Sequence, residues 1–277
     1  MRSSIQQKGL EPAEQKAEKR RIRVTFVSPG TRKAALVITV VLPALLMAYA
    51  WFMNHRPPLH IKSEWTLQDT LIQNSDLFLS FVFLIVSALP FYLVFDRKKV
   101  KARELTPIAL MAALCVVGRA AFSLIPLPNF KPVSAIIIIT ALAFGPEAGY
   151  LTGALAAILS NFLFGQGPWT PWQMVAMGLV GFLAGALFHS GLLRRTRGAL
   201  CAFGALAAIF LYGALMSAQS ALLWMQGLNV GILISYLLAG LPMDAVQAAA
   251  TVVFLWCFSG PVLEKLERVK VKYGLME

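Results

Sequence analysis

The chain has 277 residues, of which 58% are hydrophobic and only 14% charged, with a formal net charge of +12. A soluble domain carries roughly 25% charged residues, and repeated apolar runs of about 17–25 residues identify instead a polytopic, all-α membrane protein. The basic residues fall in short loops and tails, which is the pattern that orients a chain in a bilayer and not that of a nucleic-acid-binding surface.

Residues 1–33 are polar and basic without apolar periodicity, and read as a cytoplasmic tail. Residues 34–53 form the first apolar span. Its basic flank and the Ala48-Tyr49-Ala50 triplet resemble a cleavable signal, but the basic region ahead of it is long for one, which favours an uncleaved signal anchor. A polar loop at 54–75 leads to a second span at 76–95, and the basic run at 96–104 returns the chain to the cytoplasm. The expected division is a tail at 1–33, a two-span extension at 34–103 and a six-helix bundle at 104–277.

Within the bundle, the third span covers 105–125 and holds Ala109, Ala113 and Arg119. The fourth and fifth, at 132–144 and 148–164, are joined by a tight Gly145-Pro146-Glu147 turn. The fourth is short: about 13 residues rise roughly 20 Å against ~30 Å of hydrocarbon. Backbone beside it is therefore expected to dip into the membrane, where protein or a water-filled cavity must satisfy it. The sixth span, 172–190, carries Gly178, Gly181 and Gly185, and the seventh covers 200–224. The apolar region 228–258 is long and contains Pro242. It reads as a short surface or re-entrant helix at 228–238, an eighth span at 239–258 and a basic helical tail. Lys and Arg number nine in 1–33, five in 96–104, three in 191–199 and four in 259–277, whereas the opposite side receives Arg56, Lys62 and Lys131. This bias places both termini in the cytoplasm.

The hairpin of spans four and five brings residues 129–132 and 165–173 to the same, outer side. Asn129, Lys131, Gln166, Trp169, Thr170, Trp172 and Gln173 are thereby candidate ligand contacts. Flat apolar faces beside directional polar groups suit a heterocycle, although an aromatic belt accounts for the two tryptophans equally well. Arg119 and Asp244 are the charged side chains set well inside spans, either as a structural ion pair or as ligand contacts, and Asn161 and Gln247 join either network. No P-loop, HExxH or G-x-S-x-G motif occurs, His55, His60 and His189 are scattered, and Cys115, Cys201 and Cys257 form no CxxC pair. No metal, cofactor or catalytic group is expected. A binding or transport protein fits better than the alternatives, an intramembrane enzyme or a stand-alone small-molecule carrier. Small residues at four-residue spacing, Gly149/Gly153/Ala157 and Gly181/Gly185, read as helix packing. Ala109 and Ala113, near the cytoplasmic end of their helix, are the candidate docking strip for an external helix.

From about residue 104 onward the chain resembles the substrate-binding S component of an energy-coupling factor (ECF) transporter. The resemblance rests on ALMAA at 109–113, AFGPEAGYLTGALAAILSN at 143–161, GQGPWTPWQ at 165–173 and LAGLPMD at 238–244. It implies a six-helix core with an outward-facing vitamin pocket, covered by the loops at 129–131, 165–173 and 226–238. It also implies a transmembrane T component docked on Ala109 and Ala113 and two cytoplasmic ATPases, which fits the missing P-loop. The segments at 129–132 and 165–173 resemble members associated with cobalamin or related corrinoids. The two extra spans at the front have no counterpart in that family.

Overall fold

The computed structural model describes residues 102–224 and 230–274, together with isolated positions at 41, 44, 48, 82 and 85. The basic tail and the bulk of the two-span extension expected at 34–103 lie outside the described residues, as does any cleavage after Ala50. Among the described residues the fold is entirely helical: α1 (Ala102–Phe122), α2 (Val133–Phe144), α3 (Pro146–Phe164), α4 (Thr170–His189), α5 (Arg197 through Trp224) and α6 (Val230–Tyr273). Five of them are long and apolar enough to cross a membrane, and α2 alone is too short.

α2 has 12 residues, about 18 Å of rise. Its Ile136–Ile139 run is β-branched and poor in intrinsic helix propensity. The helix is apolar all round, and every residue except Ile136 is buried, so tertiary packing overrides propensity. Being enclosed by its neighbours, it need not match the bilayer thickness. The chain reverses at Gly145, whose φ of 105° is a left-handed conformation that glycine adopts at little cost. Gly145 N–H closes α2 on the Ala141 carbonyl at 2.9 Å, and Pro146 opens α3 with Glu147 in its first turn.

α3 and α4 pack backbone to backbone. A Cβ on Gly153 would run into the Met177 carbonyl, and one on Gly149 would sit 2.9 Å from the Gly181 oxygen. Small residues permit this approach, and in a bilayer such close packing replaces the hydrophobic drive. Met174, Val175 and Ile158, fully buried, fill the remaining space. α5 begins at Thr196, whose hydroxyl accepts from Ala199 N–H at 3.3 Å. It widens into a π-turn at Ala207–Gly213 before continuing to Trp224.

The last helix differs from the sequence expectation. Pro242 does not separate a surface helix from a span: α6 is continuous for 44 residues, about 66 Å, with Pro242 and Pro261 inside it. Proline deletes one N–H bond and crowds the preceding turn, but the two flanking turns persist where neighbours hold them. Ser217 Oγ on α5 donates to the Tyr236 carbonyl at 3.4 Å, a tether six residues ahead of Pro242. The buried face of α6 below that point, Gln247, Thr251, Leu255 and Ser259, recurs every four residues or so and packs into the bundle.

The two ends of the bundle have different chemistry. One end holds the α2–α3 turn, the α4–α5 loop with Arg194 and Arg195, and the end of α6, where Lys270 Nζ donates to the Ala143 carbonyl at 3.3 Å. The other end gathers the last turns of α1 and α3 with the first turns of α2 and α4, and there the polar side chains converge.

Candidate functional site

A small cavity of about 60 Å³ opens at this second end, between α1, α2, α4, α5 and α6. Its charged and amide walls are Arg119, Asn129, Lys131, Gln173 and Gln247, and Val133, Ser134, Met177 and Tyr212 complete it.

Asn161 lies beneath the cavity and organises it. It is 0% exposed, and in a buried amide every polar atom needs a partner. Its Oδ1 accepts from Arg119 Nη1 at 2.8 Å, while its Nδ2 donates to Thr170 Oγ1 at 2.9 Å and to Gln173 Oε1 at 2.8 Å. Arg119 Nη1 also donates to Ser160 Oγ at 2.6 Å. Gln173 in turn donates to the Tyr212 hydroxyl at 3.4 Å. One network thus links α1, α3, α4 and α5 and fixes both the guanidinium and the Gln173 amide that face the cavity.

Arg119 lies over the Phe164 ring, 4.7 Å from the centroid, and Lys131 Nζ approaches the same ring at 5.8 Å. Burial and the neighbouring Arg119 guanidinium lower the Lys131 pKa from the ordinary lysine value. Asn129 holds a φ of 62°, a left-handed position that asparagine tolerates better than other side-chain-bearing residues. It turns the 123–132 loop into α2, and Phe130 anchors that loop against Phe122 and Phe254, at 6.4 and 5.8 Å between centroids. On the far wall, Gln247 Nε2 donates to Ser134 Oγ at 3.3 Å.

The remaining candidates are placed elsewhere. Trp172 is 4% exposed and belongs to the core between α3 and α4. Trp169 precedes α4 and packs over Gly167, away from the cavity lining. Gln166 turns back to the Ile158 carbonyl at 3.1 Å. Thr170 supports the network from below without lining the cavity. Asp244 is half-buried against Gly213 of the π-turn, and it forms no ion pair with Arg119. Arg268 pairs with Glu264 at the opposite end.

Sequence reasoning missed Ser134 and Tyr212. Each is a hydroxyl in an apolar span, a weak but readable signal. Tyr212 lies in the π-turn, a frequent feature of functional sites that has no sequence signature. No group of three or more His, Cys, Asp or Glu able to hold a metal occurs among the described residues.

Two curated relatives, UPF0397 proteins from two strains of Clostridium perfringens, are each 36% identical over 61 residues, 22% of this chain and 32% of theirs. The chain therefore spans about a third of the length of the curated relatives it matches. No solved structure matches it. The family described as ECF-type riboflavin transporter, S component, matches residues 99–260, which takes in α1 to α5 and most of α6. With more than half of its length matched in this way, the chain belongs to the ECF-type riboflavin transporter S-component family.

Proposed function

We propose that the chain is the membrane-embedded substrate-binding subunit of an ECF-type importer, and that it captures a vitamin-like small molecule in the cavity at the Asn129–Lys131 end. It is a transport subunit and not an enzyme. The observation that carries the reading is the convergence of Arg119, Asn129, Lys131, Gln173 and Gln247 on one cavity, held by a satisfied network at the end opposite Arg194, Arg195 and Lys270. By the positive-inside rule the basic end is cytoplasmic, so the cavity faces outward and both termini lie inside.

Ligand sites for molecules of vitamin size run to roughly 300–1,000 Å³. The present cavity, about 60 Å³, must widen to admit one. The 123–132 loop, which carries Asn129 and Lys131 and is held largely by Phe130, is the part that moves in this reading. A flavin-sized heterocycle is the first ligand to test. A corrinoid, the cargo suggested by residues 129–132 and 165–173, demands a far larger opening.

The geometry separates two side chains that the sequence grouped together. Gln173→Ala removes a cavity wall and leaves Asn161 and Tyr212 short of a partner, which costs about 1–3 kcal/mol. Ligand affinity is expected to fall by about ten-fold or more. Trp169→Ala, outside the lining, should bind within about two-fold of wild type. Titration of both variants in detergent decides the matter, and a Gln173→Ala protein that binds normally moves the site elsewhere.

The partners in this reading are a transmembrane T component and two cytoplasmic ATPases. Ala109 and Ala113 are exposed on α1, flanked by Leu110 at 65% and Val117 at 63% exposure, so the helix presents small residues within an apolar, unpacked face. Such a strip lets a second helix approach closely. Ala109→Trp with Ala113→Trp should abolish co-purification of the T component from membranes while ligand titration stays unchanged. Undiminished co-purification by the double variant would remove this face from the docking surface.

A further inference from the structure

The charge of the cavity is unbalanced. Arg119 and Lys131 are both partly buried, both approach the Phe164 ring and line the same small space. No carboxylate lines it among the described residues. Asp244, on α6, is packed against Gly213 and forms no ion pair with either cation. Two like charges held together in a poorly solvated place repel each other, and such groups in membrane proteins ordinarily pair or face a functional cavity. The Phe164 ring offsets the repulsion only in part.

The guanidinium is also held ready for a partner. Arg119 directs Nη1 at both Ser160 and Asn161, which fixes the plane of the group. Its other N–H donors make no hydrogen bond within the described residues. A planar fork with spare donors beside a compact ammonium suits a carboxylate or a phosphate, whereas it suits a neutral ring poorly. Ser134, Tyr212 and Gln247 remain for the uncharged part of the ligand.

Resting on the reading of this cavity as the ligand site, we propose that the molecule it binds carries an anionic group, a carboxylate or phosphate, seated between Arg119 and Lys131. The cations then select for charge, and the amides and hydroxyls orient the remainder.

Riboflavin and riboflavin 5′-phosphate share one ring system and differ by a single anionic group, which makes them the probe pair. Fluorescence titration of the full-length protein in phosphatidylcholine nanodiscs should show the phosphate ester binding at least about ten-fold tighter. Inorganic phosphate should compete. Lys131→Met should bring the ratio close to one, and Lys131→Arg should preserve it. Riboflavin binding as tightly as its phosphate, or a preference that survives Lys131→Met, overturns the proposal. If neither flavin binds, inorganic phosphate decides: a rise in melting temperature lost in Lys131→Met supports an anion site, and no rise overturns it. Nanodiscs containing phosphatidylglycerol distinguish the source of the anion, because a lipid headgroup occupying the site abolishes the phosphate effect there and a soluble ligand does not. The underlying site reading fails separately, through flavin or phosphate binding that Gln173→Ala leaves intact.

Discussion

Asn161→Ala is expected to eliminate ligand binding and to lower the melting temperature by about 10 °C. Asn161 connects Arg119, Thr170 and Gln173, and its loss removes a hydrogen bond from each at once, leaving Gln173 Oε1 unpaired while Arg119 keeps Ser160 and Thr170 keeps the Gly167 N–H. An unpaired buried polar group costs about 1–3 kcal/mol, and hydrogen bonds between membrane helices sit toward the lower end of that range. A total of about 2–4 kcal/mol follows, at roughly 2–4 °C per kcal/mol for a chain of this size. Asn161→Asp is the informative companion. It keeps the acceptor for Arg119 and removes the donors to Thr170 and Gln173, so it should retain more stability than the alanine variant. Thermal melts of the three proteins in one detergent test this, and a wild-type melt for Asn161→Ala would mean that the cation is held by Ser160 alone.

Gly153→Leu is expected to prevent folding altogether. The α3–α4 contact at this point is backbone against backbone, and any side chain must occupy the space of the Met177 carbonyl. Ordinary overpacking costs about 1–3 kcal/mol because side chains shift rotamer; here only separation of two helices relieves the clash. Gly153→Ala should already reduce the yield of monodisperse protein on size exclusion, and the leucine variant should yield none. Recovery of Gly153→Leu at wild-type yield and melting temperature would show that α3 and α4 do not pack as described.

Much of the architecture was legible in the sequence because its determinants are local. Gly145 and Pro146 mark the reversal, the short apolar run at 132–144 marks the short helix, and the glycine spacing marks close helix packing, which the structure finds between α3 and α4. The course of α6 was not legible. Pro242 is a strong local break signal, and what keeps the helix whole is packing against α5 from more than twenty residues away, including the Ser217 tether. The site was half legible. Arg119, Asn129, Lys131, Gln173 and Gln247 are polar residues near helix ends, and the expectation that they cluster follows from topology. The distinction between lining residues and supporting ones depends on helix rotation. That rotation puts Trp172 in the core, Thr170 below the cavity, and Asp244 against the π-turn instead of beside Arg119.

The two prolines of α6 have a mechanical meaning. Between Pro242 and Pro261 lie 18 residues with an uninterrupted hydrogen-bond ladder, a stiff rod of about 27 Å. At each proline a rung is missing and bending stiffness drops. The rod is clamped along its length by Gln247, Thr251 and Leu255, while the segments beyond each joint carry mostly exposed residues. Bending of the basic end segment is therefore expected to concentrate at Pro261, and bending of the Val230 end at Pro242, on either side of Gln247. Gln247, which lines the cavity, thus sits on the stiff stretch between two joints, and flexing at either end of the helix is expected to leave that wall in place.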